Sequence, residues 1–412
     1  MSSHWITLQL GSREHYAVPR ALHAGGRLWK SLTDSWVTPS LQEFVKKLGI
    51  PELAQRYHPD LAGARVEAFT GRRLLFEILS RTFGHHGWNR VLKRNQWFQR
   101  AVTTSLRKHE SDLREVASSG IVFAYSYAAL ESLRYLKSLG FKIVLGQIDP
   151  GPLEIDVVNR GTSSYPTLRL PEADPPDIYW RLWRDECALA DLIMVNSEWS
   201  QECITGGGVD RQKVRLVPLA FEGSSEAPKP KRVYPEEFTS IRPLRVLFRG
   251  QMILRKGVGQ LLDAIRLLRE LPMEFRFAGP IGINLPEWIN EFPNVSVLGP
   301  VARSESARLY QEADVFILPT LSEGFALTQL EALSEKLPCL VSTNCARLIR
   351  DGVNGLVLNE VTVDSIVTAL RFCVNHPHRL AQMAVNCVVE DRFSMGALKE
   401  NLLALEAELF DR

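Results

Sequence analysis

Two glutamates and a lysine are the residues of this chain whose types and spacing most readily suggest chemistry. In LPTLSEGFALTQLEALSEKLPCLVST, residues 318–343, an apolar run ends at Pro319, a short loop carries Glu323 and Gly324, and a helical pattern runs from about Ala326. The first-turn amides of such a helix are unpaired and its dipole end is positive, so it can receive a phosphate group. Gly324, without a side chain, would let the backbone approach that group closely. Glu331 lies roughly 12 Å of helical rise beyond Glu323, at about 1.5 Å per residue. That is too far for both carboxylates to work on one atom. It suits two anchors on one elongated ligand, a hexose at one end and a ribose at the other, because a carboxylate accepts well from ribose hydroxyls. On these two residues alone, a Glu323 that merely caps a helix and a solvated Glu331 explain the sequence equally well.

A second segment, VLFRGQMILRKGVGQLLDAI at 246–265, delivers Arg249 and Gly250 from a strand and opens a helix with Arg255, Lys256 and Gly257. Two adjacent cations beside a glycine form a site for a diphosphate. Cations at a helix start oppose its dipole, and that unfavourable placement hints at a use. The Gly257–Gly259 pair is not the dinucleotide GxGxxG pattern.

These residues need a frame that presents strand ends to ligand. With 412 residues, 45% hydrophobic and 23% charged, the chain has room for two soluble domains. Its net charge of +2 selects no partner. No apolar run is long enough to span a membrane, and MSSHWITLQLGSREHY lacks a secretory pattern, so a cytoplasmic location is expected. The six cysteines show no metal or CxxC spacing and read as reduced thiols. Strands are expected at Trp5–Leu10, Ile121–Tyr125, Lys142–Gln147, Leu192–Asn196 and Val214–Pro218, with amphipathic segments such as Ala128–Leu139 between them. A second alternation starts at Leu244, after the polar, proline-rich EGSSEAPKPKRVYPEEFTSIRP. The expected organisation is α/β, two Rossmann-like domains facing each other across a cleft. Its parts are a first domain over 1–222, a linker over 223–242, a second domain over 243–392, and a last helix over 393–412. Ligands in such sheets bind beyond the carboxyl ends of the strands.

In order, RKG, FAGP, VSVLGPV, LYQEADVFILPT, EGFALTQLEA, LPCLVST and DGVNGLV, preceded by ALADLIMVNSEWSQECI and GGGVDRQKVRLVPLAF, resemble glycosyltransferase family 4. The resemblance covers roughly 187–357 and implies the GT-B fold and a retaining transfer of a hexose or N-acetylhexosamine from a nucleotide diphosphate sugar. It also implies that 1–222 is the acceptor-side domain, that 243–392 binds the nucleotide sugar, and that the helix over 393–412 crosses back to the first domain. It implies that Glu323 holds donor-sugar hydroxyls near the reacting carbon, that Glu331 binds the ribose, and that Gly324, Phe325, Ala326 and Leu327 offer backbone amides to the distal phosphate and sugar. Lys256 would neutralise the diphosphate, with Gly250, Gln251 and Val301 also on the donor side. Leaving-group stabilisation by Lys256, a second cation and a helix mouth requires no metal or other cofactor, and no Asp-x-Asp motif asks for one. The chain departs from the pattern in three places. Gln251 stands where the family usually has arginine, which leaves Arg255, beside Lys256, or Arg249 to supply that cation. NCARLIRDG replaces a Gly-Gly segment after Thr343. Tyr125 and Ser126 stand where a histidine commonly follows the fourth strand.

Candidates on the acceptor side are His15 in GSREHYAVPRALHAGGRL, Asp149 in VLGQIDPGPLE, and Tyr125. His15 can take a proton near neutral pH, although a hydrogen-bonded loop histidine is the plain alternative. Residues 65–108 carry a net charge of +8, interleaved with Phe76, Phe83, Trp88, Trp97 and Phe98. Such a segment suits an anionic membrane surface and a lipid-linked acceptor at the cytoplasmic face; a solvated cationic face over core aromatics is the alternative. No nucleic-acid recognition motif accompanies the charge. A glycan or a small molecule would also serve as acceptor. Two other readings stay open: a non-catalytic nucleotide-sugar-binding regulatory protein, and another GT-B enzyme such as a sugar-nucleotide epimerase or a phosphorylase.

Overall fold

The computed structural model describes residues 3–47, 53, 55–171, 174–223 and 231–411. Two wholly parallel sheets organise them. The first contains β1 (His4–Gln9), β2 (Leu28–Thr33), β3 (Val66–Ala68), β4 (Gly120–Tyr125), β5 (Lys142–Gln147), β6 (Leu192–Val195) and β7 (Val214–Leu216), in the order β3-β2-β1-β4-β5-β6-β7. The second contains β8 (Leu244–Arg249), β9 (Met273–Ala278), β10 (Val295–Gly299), β11 (Val315–Leu318), β12 (Cys339–Ser342) and β13 (Gly355–Leu358), in the order β10-β9-β8-β11-β12-β13. Helices cover both faces, so the central strands are apolar throughout: GIVFAY of β4 and VFIL of β11 are buried at every position. In each sheet the order reverses beside the first strand, at β1/β4 and at β8/β11. Such a switch point opens a crevice for ligand beyond the strand ends.

Each expected strand is present. Three further strands, β2, β3 and β13, lack the long apolar run that marks the others. LWKSLT of β2 contains Lys30, whose ammonium pairs at 2.6 Å with Glu67 on β3, a polar link near the sheet edge. The helix expected from Ala326 begins later, at Thr328, and ends at Ser334. Ala326 has φ 69°, so the chain kinks ahead of the helix. The simple helical rise therefore does not describe the path from Glu323 to Glu331.

The final helix, Met395–Phe410, packs against the first sheet's helix Ala17–Ala24. Its Leu398, Leu402, Leu405 and Leu409 share a core with Trp5, Val18, Ala21 and Leu22. The Trp5 indole donates to Glu406 at 2.9 Å, and Arg27 pairs with the same carboxylate at 3.1 Å. Within the expected linker 223–242, residues 224–230 lie outside the described residues. The part after them is fastened to the second domain: Arg232 donates to the Glu335 carbonyl at 3.0 Å, Tyr234 to the Asp314 carbonyl at 2.8 Å, and Arg242 pairs with Asp314 at 2.6 Å. All six cysteines are buried and unpaired, and burial pushes the Cys373 thiol up to about 12.

The two domains touch closely at the C-terminal ends of their strands. A Cβ added to Gly324 would stand 2.6 Å from the Ile148 carbonyl, and one added to Gly259 would stand 2.7 Å from the Tyr165 ring. Ser197 and Ser200 donate to the Gly324 carbonyl, Trp199 donates to Ser322 at 2.9 Å, and Gln260 donates to the Gly161 carbonyl at 2.6 Å. Gly324 was expected to make room for a phosphate. The backbone that approaches it so closely here is that of the first domain.

Candidate active site

β8 delivers Arg249, and the chain turns at once through Gly250 at φ 139°. A single helical turn, Leu254–Lys256, follows, then Gly257 at φ 70°. A Cβ at Gly257 would fall 1.9 Å from the Pro319 carbonyl, so only glycine lets this loop lie on the end of β11. The contact sets the two loops side by side. The Leu321 amide donates to the Arg255 carbonyl at 2.8 Å, and the Arg255 guanidinium donates to the Ser322 carbonyl at 2.7 Å.

Glu323 sits between two cations. Lys256 Nζ lies 3.1 Å from its carboxylate and Arg255 Nη1 lies 3.3 Å from it. The Lys256 side chain is only 12% exposed and runs over Gly250, where a Cβ would meet Nζ at 3.1 Å. Asn344 supports Glu323 from below, accepting from its amide at 2.9 Å while its own side chain donates to the Leu321 carbonyl at 2.9 Å. The NCARLIRDG segment therefore buttresses the loop.

Glu331 has a separate setting. Arg249 and the Tyr310 hydroxyl both donate to its Oε2, the latter at 2.6 Å, and Arg249 also donates to Ser306 at 2.6 Å. The guanidinium lies 5.5 Å from the centre of the Tyr310 ring. Arg249 is therefore committed to Glu331, and of the two arginines weighed against Gln251 only Arg255 adjoins Lys256. Burial, with the Glu331 charge adding to it, raises the Tyr310 hydroxyl well above its ordinary value, so it stays a donor.

The remaining donor-side residues divide. Gln251 is exposed and lines the cleft. The Phe325 side chain is core, with its ring 6.0 Å from Phe393, which leaves only its backbone for a ligand. Leu327 is partly exposed, and Val301 packs against the second domain's core.

Between the domains lies a cavity of about 390 Å³ lined by Asp149, Glu154, Tyr179, Trp180, Gln251 and Arg255 among others. Asp149 accepts from the Tyr127 hydroxyl at 2.6 Å, Gln147 at 2.9 Å and the Gly151 amide at 2.9 Å. Burial raises its pKa despite the Tyr127 hydrogen bond. Glu154, which sequence reasoning did not single out, reaches from helix Leu153–Thr162 of the first domain to within 3.5 Å of Arg255. Burial pushes its carboxyl up to about 7, although Arg255 opposes the shift. Burial alone would lower the Arg255 pKa, but the Glu323 and Glu154 carboxylates hold it above its ordinary value. Tyr310 and Glu154 were missed because each sits on an ordinary amphipathic helix, where nothing local sets it apart.

Of the acceptor-side candidates, Tyr125 lines a second cavity, of about 270 Å³, within the first domain. His15 lines neither cavity. It is exposed at φ 49°, in a run where Glu14 and Tyr16 also have positive φ, of 50° and 62°. Three consecutive left-handed residues cost roughly 1–2 kcal/mol each. They turn the chain off β1 so that Tyr16 enters the core while the Glu14 carboxyl, raised to about 7 by burial, approaches Tyr125. Among the described residues no group of His, Cys, Asp and Glu is arranged to hold a metal.

The basic run at 65–108 folds as β3 and helices Thr70–Thr82 and Gly87–Lys108. Its aromatics mostly point inward, contrary to an interfacial role for them: Phe76 stacks on Trp97 at 5.5 Å, Phe98 is buried, and Trp88 meets Tyr179 at 4.9 Å. Leu74, Leu75, Ile78, Leu79 and Phe83 are exposed instead.

The family match falls on the part of the chain that holds Lys256, Glu323 and Glu331. Residues 243–376 match the family described as Glycosyl transferases group 1. Among curated proteins, UDP-Gal:alpha-D-GlcNAc-diphosphoundecaprenol alpha-1,3-galactosyltransferase of Escherichia coli is 34% identical over 214 residues, 43% of this chain and 50% of that protein. This chain spans about half the length of the curated relatives it matches. Among solved structures, the catalytic domain of starch synthase IV from Arabidopsis thaliana, bound to ADP and acarbose, superposes with a TM-score of 0.64 at 12% identity over all of both chains. Anabaena HepE in complex with UDP and glucose gives 0.57 at 13% identity, over 98% of this chain and 100% of its own. Two Rossmann-like domains meeting at their strand ends, with these neighbours, establish the GT-B fold.

Proposed function

We propose that this chain is a glycosyltransferase of family 4 type, transferring a hexose or N-acetylhexosamine from a nucleotide diphosphate sugar with retention of configuration and without a metal. One observation carries the reading: Lys256 and Arg255 converge on Glu323, while Arg249 and Tyr310 fix Glu331 further along the same loop and helix. In this reading Glu323 accepts from donor-sugar hydroxyls and Glu331 from the ribose. The diphosphate competes with Glu323 for Lys256 and Arg255. As the glycosidic bond to phosphate breaks, negative charge grows on the leaving diphosphate, and Lys256, Arg255 and the backbone amides of Gly324–Leu327 stabilise it. Domain closure excludes water and limits wasteful hydrolysis of the donor. Asp149 lies in the cleft and is the acceptor-side group best placed to receive a hydroxyl proton.

The acceptor in this reading is a glycan or lipid-linked molecule met at an anionic membrane surface on the cytoplasmic side. Helix Thr70–Thr82 supports this. Leu74, Leu75, Ile78, Leu79 and Phe83 fall on one stripe, with Arg72 and Arg81 nearby on the same element. An apolar stripe flanked by cations matches an anionic bilayer in both hydrophobicity and charge.

The deciding experiment is a screen of nucleotide sugars by ligand-observed NMR and donor hydrolysis, with and without chelator. Saturable binding and chelator-resistant turnover of one donor support the proposal. Binding without turnover under any acceptor would favour a regulatory binding protein, and release of free nucleotide with an epimerised sugar would favour an epimerase.

A further inference from the structure

The cavity inside the first domain has a character that the donor site does not explain. It lies beyond the ends of β1, β2, β4 and β5, and its lining includes Arg13, Arg56, Arg73 and Arg94 against a single carboxylate, Asp34. Asp34 is nearly consumed by the fold. It pairs with Arg73, lies 3.7 Å from Arg56, and accepts from the Gly11 amide at 2.8 Å. Arg13 rests 5.7 Å from the centre of the Tyr125 ring. Arg94 makes no ion pair and no hydrogen bond among the described residues. Arg94 remains exposed to solvent, and partial desolvation together with the charges of Arg73 and Arg13 draws its guanidinium below the ordinary value.

A second observation is independent of the charge. Ser126 is 5% exposed and lines the same cavity, yet its hydroxyl has no hydrogen-bond partner among the described residues, and neither does the buried Nη1 of Arg56. Buried donors without partners cost roughly 1–3 kcal/mol each in a finished structure. Surplus guanidinium groups and unused donors facing one space fit a bound anion with several acceptor oxygens.

We propose that this cavity is an anion subsite of the acceptor, taking a phosphate group that the acceptor carries. The proposal rests on the glycosyltransferase reading for the word acceptor, but the binding itself does not. At about 270 Å³ the cavity falls a little below the usual range for small-molecule pockets, roughly 300–1,000 Å³, which suits a head group better than a whole lipid. Its position links the two halves of the reaction. Tyr179 lines both cavities, and Tyr127 lines this one while its hydroxyl bonds Asp149 in the cleft. A phosphate held by Arg94, Arg56 and Ser126 would therefore place the adjoining part of the acceptor at Asp149. Arg73 ties the cavity to helix Thr70–Thr82, whose opposite face carries the exposed apolar stripe. The phosphate of a membrane lipid and that of a soluble sugar or polyol phosphate share this chemistry.

The test uses the full chain and two probes, glycerol 3-phosphate in solution and vesicles of phosphatidylcholine with or without phosphatidic acid. Affinity for each is measured for the wild type, Arg94→Gln, Arg94→Lys and Ser126→Ala, and UDP and GDP affinity is read from the same samples. Loss of one charge-assisted hydrogen-bonding group should weaken glycerol 3-phosphate about tenfold in Arg94→Gln, with partial recovery in Arg94→Lys. Ser126→Ala removes a second proposed donor and should weaken the same probe by a smaller factor, while unchanged melting temperatures in all three variants show that the loss is not one of folding. If the phosphatidic acid vesicles alone respond to Arg94→Gln, the source is a lipid head group. If the soluble probe responds equally, the source is a soluble phosphate. Equal affinity of wild type and Arg94→Gln for both probes, or no binding of either by the wild type at millimolar levels, overturns the proposal. A wild type that binds neither nucleoside diphosphate overturns the donor reading instead and leaves the phosphate result standing by itself.

Discussion

The Arg255 guanidinium of the second domain stands 3.5 Å from the Glu154 carboxylate of the first, and Arg255 also holds Glu323 at 3.3 Å. One cation thus ties the domain contact to the site loop. Glu154 holds its proton up to about pH 7 in the folded chain because burial outweighs the help of Arg255, whereas its ordinary value is 4.5. Between these two values the unfolded chain releases the proton and the folded chain keeps it. Stability contributed by this group is therefore full at low pH, falls as pH rises through about 4.5 to 7, and levels off above that. Thermal melts of wild type and Glu154→Gln across this window should diverge. The variant should gain up to about 3 kcal/mol on the wild type by pH 8, and parallel curves would refute the assignment.

Lys256→Ala and Glu331→Gln should separate chemistry from binding. Lys256→Ala removes a cation from the leaving group, so turnover should drop about 10²- to 10³-fold, the usual loss for one such donor. Glu331→Gln is preferred to alanine because Arg249 is largely buried and would otherwise lose its carboxylate outright. Donor affinity should fall about tenfold with a smaller change in turnover. Initial rates across donor concentrations decide the matter. Unaltered kinetics in both variants would remove the proposed site.

Much of the second domain was legible because its chemistry sits in short segments at strand ends. RKG occupies one loop and EGFALTQLE one loop with the helix start after it, and the glycines that allow their close approach are visible as letters. The three-way contact of Arg249, Tyr310 and Glu331 was not visible, since three elements brought together by the sheet order supply it. The charged run at 65–108 shows the limit most clearly. Arg73 and Arg94 read as surface charge along the chain. Which of the cations line a cavity depends on where two helices lie over the sheet, and only the fold reveals that Arg13 and Arg56 join them. β2 and β3 escaped notice for a related reason, because half-buried strands near an edge need no apolar run.

Gly324→Ala should open the domain contact while leaving each domain's core intact. The added methyl would meet the Ile148 carbonyl at 2.6 Å, and backbone of that kind cannot turn aside as a flexible side chain can. Overpacking of this sort costs about 1–3 kcal/mol. The expected outcome is a lower melting temperature with a larger radius of gyration by small-angle scattering. Weakened donor binding should accompany it, because Ser322, next to Glu323, is held by Trp199 across the same contact. An unchanged scattering profile with unchanged affinity would show that the contact adapts and that Gly324 is not required by it.

The exposed stripe on helix Thr70–Thr82 gives a prediction about location that does not depend on the donor site. Leu75, Ile78 and Phe83 are 56%, 61% and 68% exposed, a cost that a bilayer surface would remove. Two contributions are expected, with different responses to salt. Apolar insertion should resist it, while attraction between the basic residues and anionic lipid should weaken as screening grows. The full chain should therefore sediment with anionic vesicles at low salt, partly release at high salt, and bind neutral vesicles poorly. Leu75→Asp with Ile78→Asp should abolish sedimentation at both salt levels without changing the melting temperature, since neither side chain is part of the buried core. Wild type that stays in the supernatant at low salt, or a double variant that sediments as the wild type does, would leave the stripe as plain solvated surface.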